Sequence, residues 1–398
     1  EEEQPGGAAW IRVEDTKKAL QSVGAWYRSR LNLPLIGVTG SVGKTTTREM
    51  ISAALSAGYQ VYKTPGNHNS QVGVPITLSE ISSKDEIGVI ELGMSEPGEL
   101  TVIARIAQVD MAVITNIGLS HIEQLGTQDN IYLEKMSIQD GLKPGGILFL
   151  NGDDEWLKRT KARKGFSTVH YGLSESCSYR AADVCTVDGY PSFTAVHGDE
   201  RVPVRLQVMG AHQILNALVA LAVADKSGVP MEEAAKTLSQ FTGFEGRQQI
   251  YREGGLTIID DSYNANPLSF SRMLEAAAEM AGDHADRPLV CVLGEMGELG
   301  SLSEDEHRNL GRLVADIKPR LVCWKGGHLE EFEDGLHAGR YGGAFCPVTS
   351  AEDMFKGLAA CDLGSGGGVI LFKGSRSNKL ETLVSAFTEA QAGEPHAV

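Results

Sequence analysis

Short runs of Val, Ile and Leu recur at residues 34–39, 86–91, 110–115 and 146–150, each bounded by polar or glycine positions. Runs that are apolar at successive positions predict strands buried on both faces of a parallel sheet. Segments with helical spacing lie between them at 44–57, 97–106 and 129–141. Strand–helix alternation of this kind predicts an α/β sheet layered by helices. Ahead of it, residues 8–30 predict a helix with a basic end, Lys17 to Arg30, which Asn32 and Pro34 break. Residues 178–209 differ. Polar and apolar positions alternate there around turn signals at Asp188-Gly189 and Gly198-Asp199, predicting an antiparallel edge or subdomain. A long Ala/Leu/Val helix follows at 210–228. A second alternating block has strands at 256–260, 288–293, 320–324 and 369–373, with helices near 268–281, 303–316, 350–360 and 377–390. That block predicts a second, smaller doubly wound domain, with the boundary near Gly246 and Arg247.

Composition narrows the function classes. A chain of 398 residues exceeds what one core usually supports. Its 36 basic against 52 acidic residues leave a net charge of −16, which disfavours non-specific binding to nucleic acid or anionic membranes. No apolar run approaches the roughly 20 residues of a membrane span. The first residues have neither the basic nor the apolar region of a signal peptide. The chain opens on Glu1 rather than Met and reads as a processed chain or a piece of a longer one. Six cysteines occur without a Cys-x-x-Cys pair, so neither a zinc site nor a disulfide framework is expected, and the cytoplasm is the natural compartment.

The candidate chemistry begins at Thr39-Gly40-Ser41-Val42-Gly43-Lys44-Thr45-Thr46. The segment follows an apolar strand and opens a helix, the context of a phosphate-binding loop. Its glycines let backbone N–H groups converge on phosphate oxygens, and the helix dipole adds to them. Lys44 would reach the β- and γ-phosphates and the Thr45 hydroxyl would bind Mg²⁺. Strict Walker spacing would put a glycine at position 38, where Val38 stands, so the loop is a shorter variant. Glu91 ends the second predicted strand, where a Mg²⁺ ligand or water-orienting acid belongs. His121 follows the third strand and a glycine turn at the same sheet edge. Lys135 on the next helix would by itself be a solvated lysine. In the second block, residues 260–267 crowd polar side chains at a strand end, including Asp261, Tyr263, Asn264 and Asn266, and suggest a site facing the loop across a cleft. Arg247 is placed to bring a cation to the γ-phosphate. Lys373, Ser375 and Arg376, between a strand and a helix, are anion-binding candidates.

These segments together resemble the Mur ligase family. The resemblance rests on residues 39–47, on Thr64-Pro65-Gly66-Asn67-His68-Asn69, and on the stretches 91–99, 115–123, 210–217, 246–249, 260–267, 293–300 and 373–376. It covers about residues 12–390 and is closest to the branch that adds D-alanyl-D-alanine to a UDP-N-acetylmuramoyl tripeptide in peptidoglycan synthesis. It implies an α/β fold with a P-loop central domain at 31–246 and a Rossmann-like C-terminal ligase domain at 247–390. Residues 1–30 would be a tail and hinge helix left from an N-terminal domain, and 391–398 a disordered tail. The implied activity is ATP-dependent amide ligation through an acyl phosphate. Gly40, Ser41, Gly43, Lys44, Thr45 and Thr46 would hold ATP, with Asn216 at adenine, Arg247 at the γ-phosphate and Asp261 near the ribose. Tyr263 and Asn264 would lie by the nucleotide, and Asn67, Asn69, Asn266 and the Lys373, Ser375, Arg376 turn by the other substrates. Thr45 and Glu91 would hold one Mg²⁺, His121 would help hold a second, and Lys135 would be a carbamylated lysine. Val42 stands where the family usually has Asn or Ser, and Met136 follows Lys135 where Gly is common. Expected partners are small-molecule and nucleotide-sugar peptide substrates, without nucleic acid; the chain would act as a monomer, its N-terminal domain removed or supplied elsewhere. Two other readings stay open, a related amide ligase for a non-peptidoglycan acid and a P-loop ATPase module.

Overall fold

The structure, a computed structural model, describes residues 11–244, 248–282, 287–361 and 367–393. Two sheets organise them. The first contains β1 Leu35–Thr39, β2 Val61–Lys63, β3 Ile87–Glu91, β4 Met111–Ile114, β5 Ile147–Asn151, β6 Ser167–Gly172, β7 Tyr179–Val187, β8 Tyr190–His197 and β9 Glu200–Arg205. Their spatial order is β2-β3-β1-β4-β5-β6-β7-β8-β9. All neighbours are parallel except β7–β8 and β8–β9. The second sheet contains β10 Gln249–Glu253, β11 Leu256–Asp261, β12 Leu289–Gly294, β13 Leu321–Lys325, β14 Ala344–Pro347 and β15 Val369–Lys373. Its order is β10-β11-β15-β12-β13-β14, antiparallel only at β10–β11.

The continuous apolar runs are the central strands. Every residue of β1, β3, β12 and β15 is buried, as expected where helices cover both faces. On one face of the large sheet the helices Lys44–Leu55, Gln213–Lys226 and Met231–Leu238 pack over Ile36, Val38, Val89 and Val113. On the other face Gly73–Glu80 and Glu99–Ala107 pack over Leu35, Ile90 and Ile114. The register sets Val38 opposite both Glu91 and Val113. The loop after β1 therefore emerges between the ends of β3 and β4, which is what brings Glu91 and the segment after Ile114 to it.

Several boundaries differ from the sequence expectation. The first helix is Thr16–Arg28, because the Asp15 carboxylate accepts from Lys18 N–H at 3.0 Å and caps it. Arg28 then ties this helix to the sheet layer, donating to the carbonyls of Ala107 at 2.7 Å and Gln108 at 2.8 Å. The alternating segment is not a separate subdomain; β7–β9 extend the large sheet through β6. Its turns are where the sequence put them, with Asp188 and Gly189 both at positive φ (52° and 78°) and Gly198 at 58°, the geometry a tight hairpin needs. The strands β2, β6, β10 and β14 and the helices Gly73–Glu80, Met231–Leu238 and Leu329–Ala338 had no expectation. β2, β10 and β14 border only one neighbour each and contain no fully buried residue, so they carry no apolar run to find. The last helix spans Glu381–Gly393, starting later because Arg376–Asn378 forms a 3₁₀ turn and ending three residues into the expected tail. Residues 394–398 and the expected boundary at Gly246 and Arg247 lie outside the described residues.

Candidate active site

The glycine loop owes its shape to what lies behind it. Gly40 has φ 149°, and a Cβ there would sit 1.9 Å from Thr115 Oγ1. Gly43, at φ 84°, caps the helix Lys44–Leu55. Only glycine meets both demands without strain. The segment after β4 fastens the loop from below. Thr115 Oγ1 and Asn116 Nδ2 both donate to the Val42 carbonyl, at 2.6 and 2.9 Å. Val42 N–H donates to Asn116 Oδ1 at 2.9 Å, and Ser41 Oγ accepts from Gly118 N–H at 2.8 Å. Position 42 is thus held by its backbone, which is why Val serves there. Lys44 Nζ donates to the Gly40 carbonyl at 2.9 Å and rests over the loop. Thr46 lines the cavity above; Thr45 is buried behind it, 5% exposed.

Glu91 is 1% exposed, and both its oxygens are engaged. Arg48 Nη1 donates to Oε2 at 3.2 Å and Asn69 Nδ2 donates to Oε1 at 2.7 Å. Arg48 also donates to the Gly66 carbonyl at 2.9 Å and to Glu49 at 2.5 Å, and Glu49 pairs with Lys63. Arg48 lies one helical turn beyond Lys44. Sequence reasoning missed it, although that i+4 spacing on the loop helix was a legible signal.

Lys135, on the helix Gln128–Met136, is 2% exposed and not a surface lysine. Burial holds its amine well below the usual lysine range; the charge of Lys44 pushes the same way and Glu134 opposes. His121 sits at φ 60° with Nδ1 2.6 Å from Glu298 Oε2. Nδ1 is buried against that carboxylate. The His121 ring holds the Glu298 carboxyl below the usual carboxylate range, against burial, with Lys44 assisting. Glu298 carried no expected role; its glycine-rich surroundings after β12 were the available signal.

The second sheet supplies the facing wall. Asp261, at the end of β11, pairs with Lys373 at the end of β15 at 2.5 Å. Lys373 is fully buried, and its Nζ also donates to the Asn264 carbonyl at 3.2 Å. Its charge is therefore committed within the wall rather than offered to an anion. Asn266 caps the helix Pro267–Ala281 and donates to Ser120 Oγ at 3.0 Å across the cleft. Asn67 Nδ2 likewise crosses it to Tyr263 OH at 3.2 Å. Ser375 faces away, accepting from Gly297 N–H at 2.9 Å and donating to the Glu295 carbonyl at 2.8 Å. Arg376 lies outside the cavity over the Tyr263 ring and 3.5 Å from Glu381. Of the expected Lys373, Ser375 and Arg376 anion site, Lys373 alone lines this cavity. Arg247 lies outside the described residues.

One cavity of about 320 Å³ joins the two walls. Ser41, Gly43, Lys44, Glu91, Asn69 and His121 line it from the first sheet, and Asp261, Tyr263, Asn264, Asn266 and Lys373 from the second. At one end a chain of side-chain hydrogen bonds runs from Thr47 to Asn216 (3.1 Å), Gln213 (2.8 Å), Gln248 (2.5 Å) and His212 (2.8 Å). Burial, aided by Arg272 and Lys373, brings the His212 pKa down to about 3, so this ring is neutral. No group of three His, Cys, Asp or Glu that could hold a metal occurs among the described residues. A phosphate loop and a buried carboxylate facing polar strand ends across a cleft can position a phosphoryl donor against a second substrate.

Comparison with known proteins agrees with this arrangement. Residues 38–224 match the Mur ligase middle domain, and residues 246–376 match the Mur ligase, glutamate ligase domain. UDP-N-acetylmuramoyl-tripeptide--D-alanyl-D-alanine ligase of Bacillus subtilis (strain 168) is 36% identical over 396 residues, covering 97% of this chain and 82% of that protein. The crystal structure of MurF from Acinetobacter baumannii superposes with a TM-score of 0.86 at 32% identity, covering 95% of this chain and 81% of that one. MurF ligase from Thermotoga maritima, solved in complex with ADP, gives a TM-score of 0.86 at 26% identity, covering 98% and 88%.

Proposed function

The chain belongs to the Mur ligase family, and from that premise we propose that it is the ATP-dependent ligase adding D-alanyl-D-alanine to a UDP-N-acetylmuramoyl tripeptide. The observation that carries this reading is the single cavity shared by the Lys44 loop and the strand end of Asp261 to Asn266. A bare ATPase needs the first wall and not the second.

The chemistry follows from what each wall offers. A carboxylate oxygen is a poor leaving group, so the terminal carboxylate of the tripeptide first attacks the γ-phosphorus and ADP departs. The loop backbone and Lys44 hold the nucleotide phosphates and stabilise the charge that spreads over the transferring group. The neutral amine of the dipeptide then attacks the acyl phosphate carbon, and inorganic phosphate leaves as the amide forms. The Asn67–Tyr263 and Asn266–Ser120 contacts draw the walls together, which aligns the amine and excludes water. Asn216 would contact adenine and Arg247 the γ-phosphate, the roles that the resemblance implies.

The donor set suits a cation held largely by the nucleotide. Mg²⁺ commonly binds through one or two carboxylates plus substrate phosphates, and Thr45 with Glu91 would supply the protein share of one site. His121, its Nδ1 against the Glu298 carboxylate, would help hold a second. Mg²⁺ bound there would neutralise charge on the phosphates.

Lys135 fits the carbamate. Burial favours the neutral form of this amine, the form that is a nucleophile towards CO₂, and the product would turn a cation that repels metals into an anion. Protein loaded with ¹³C-bicarbonate should show a carbamate carbonyl resonance that Lys135→Gln lacks. A spectrum without that resonance at saturating bicarbonate would remove the assignment.

The decisive assay for the reaction is ATP-dependent phosphate release with the UDP-N-acetylmuramoyl tripeptide, with and without D-alanyl-D-alanine. Release should require both substrates. Release with neither, or only with an unrelated carboxylate, would overturn the proposed specificity.

A further inference from the structure

Arg272 lies one turn into the helix Pro267–Ala281 and lines the cavity beside Met273 and His212. Nothing in the proposed reaction uses it. Among the described residues no hydrogen bond or ion pair engages its guanidinium, in contrast to the other cations around the cavity. Arg48 is spent on Glu91 and Glu49, Lys373 on Asp261, and Lys44 donates to the Gly40 carbonyl.

The charges that face Arg272 do not neutralise it. The nearest acidic influences are Asp154, Tyr171 and Glu275, none within ion-pair distance. Asp154 already accepts three backbone N–H groups, from Ile117 at 3.0 Å, Trp156 at 2.9 Å and Leu157 at 3.1 Å. Burial raises its pKa, while its three backbone donors and Arg272 oppose that shift. Glu275 is exposed and accepts from Ser271 at 2.7 Å. Tyr171 is buried with its phenol pushed towards the neutral form by burial. His212 is neutral, so it neither repels nor compensates Arg272.

A guanidinium stays charged even when burial lowers its pKa; Arg272 is half-buried, and a charge partly removed from water without a partner is poorly compensated. Such a group is retained most readily where a ligand brings the missing anion. Its neighbourhood says which ligand. Asp154 fastens Ile117, Ile117 adjoins Asn116, and Asn116 holds Val42 of the phosphate loop. Leu268, one turn before Arg272, packs against Gly118 on the same loop support. Arg272 therefore lines, from the second wall, the same cavity that Ser41, Gly43 and Lys44 of the loop line from the first.

We infer that Arg272 is a nucleotide-binding residue contributed by the C-terminal half, pairing its guanidinium with phosphate oxygens of the bound nucleotide. A planar fork of donors suits phosphate in a way that a point charge does not. It also makes nucleotide affinity depend on both halves of the chain rather than on the loop alone. The inference rests on the cavity being the nucleotide site, and the test separates the two.

Isothermal titration of the whole chain with ADP, AMP and adenosine would be run on wild type, Arg272→Ala, Arg272→Lys and Lys44→Met. Arg272→Ala should weaken ADP binding about tenfold or more, equivalent to about 1.4 kcal/mol, and leave adenosine nearly unchanged. Arg272→Lys should recover only part of the loss. Circular dichroism melting of each variant would separate a lost contact from lost folding. Unchanged ADP affinity in Arg272→Ala, with Lys44→Met impaired, would overturn the inference and leave the nucleotide site standing. Equal losses for ADP and adenosine would overturn it too, placing the side chain on the nucleoside. Failure of the wild type to bind ADP would remove the site and the inference together.

Discussion

Replacing Lys44 by Met should lower ATP-dependent phosphate release by about 100- to 1,000-fold, the usual effect of removing one preorganised donor from developing charge. The side chain is suited to this test because its role is electrostatic rather than structural. Its ammonium donates to the Gly40 carbonyl of its own loop, whereas the loop's shape is maintained by Thr115 and Asn116 acting on Val42. Met keeps the length of the stem and removes the charge. The loop should therefore stay folded, and the melting temperature should shift little while turnover collapses. Lys44 also contributes to depressing the Lys135 amine and the Glu298 carboxyl, so both groups should move towards their ordinary ranges. Steady-state kinetics alongside thermal melting decide the matter. Turnover within tenfold of wild type would mean that the loop backbone alone holds the transferring phosphoryl group.

Arg48→Leu should destabilise the chain by about 3–5 kcal/mol, the cost of stranding a buried charge. The side chains of Arg48 and Glu91 are 4% and 2% exposed, and Arg48 bridges Glu91, Glu49 and the Gly66 carbonyl at once. Removing the guanidinium leaves Glu91 with the Asn69 amide as its one side-chain donor among the described residues, while Glu49 retains Lys63. Glu91 should then drift or take up a proton, so activity should fall together with stability. Combining Arg48→Leu with Glu91→Leu removes both charges, and the double variant should regain much of the lost stability without regaining activity. Urea unfolding of the two single variants and the double variant completes the cycle. A loss below about 1 kcal/mol for Arg48→Leu would place the pair with weak surface ion pairs and deny it a structural role.

The fold was legible wherever it depended on burial along one strand. The uninterrupted apolar runs at β1, β3, β12 and β15 are strands with every residue buried, and the helices between them follow from their spacing. The edges were not legible. β2, β10 and β14 bury too little to leave a pattern, and they exist because a longer neighbour offers unpaired backbone groups. The glycine loop was legible for a different reason. Gly40 and Gly43 occupy backbone positions that other residues cannot take without strain, so local sterics write the motif into the chain.

Side-chain allegiance lay beyond the sequence. Lys373 looked like an anion binder and is paired with Asp261, 112 residues away in the chain. Ser375 looked like a ligand contact, and in the fold it ties Gly297 and Glu295 to its own loop. Lys135 would have passed for a solvated lysine, yet the chain around it excludes water. Arg48 and Arg272 are alike as arginines, and only the folded surroundings make one the partner of a buried glutamate and leave the other uncommitted. By itself the sequence determined the central strands, most of the helices between them and the phosphate loop, because apolar runs and glycine sterics act over a few neighbouring residues. The tertiary structure alone decided which charges are paired, because a charge's partner is set by proximity in space, and the chain brings those partners from far along its length.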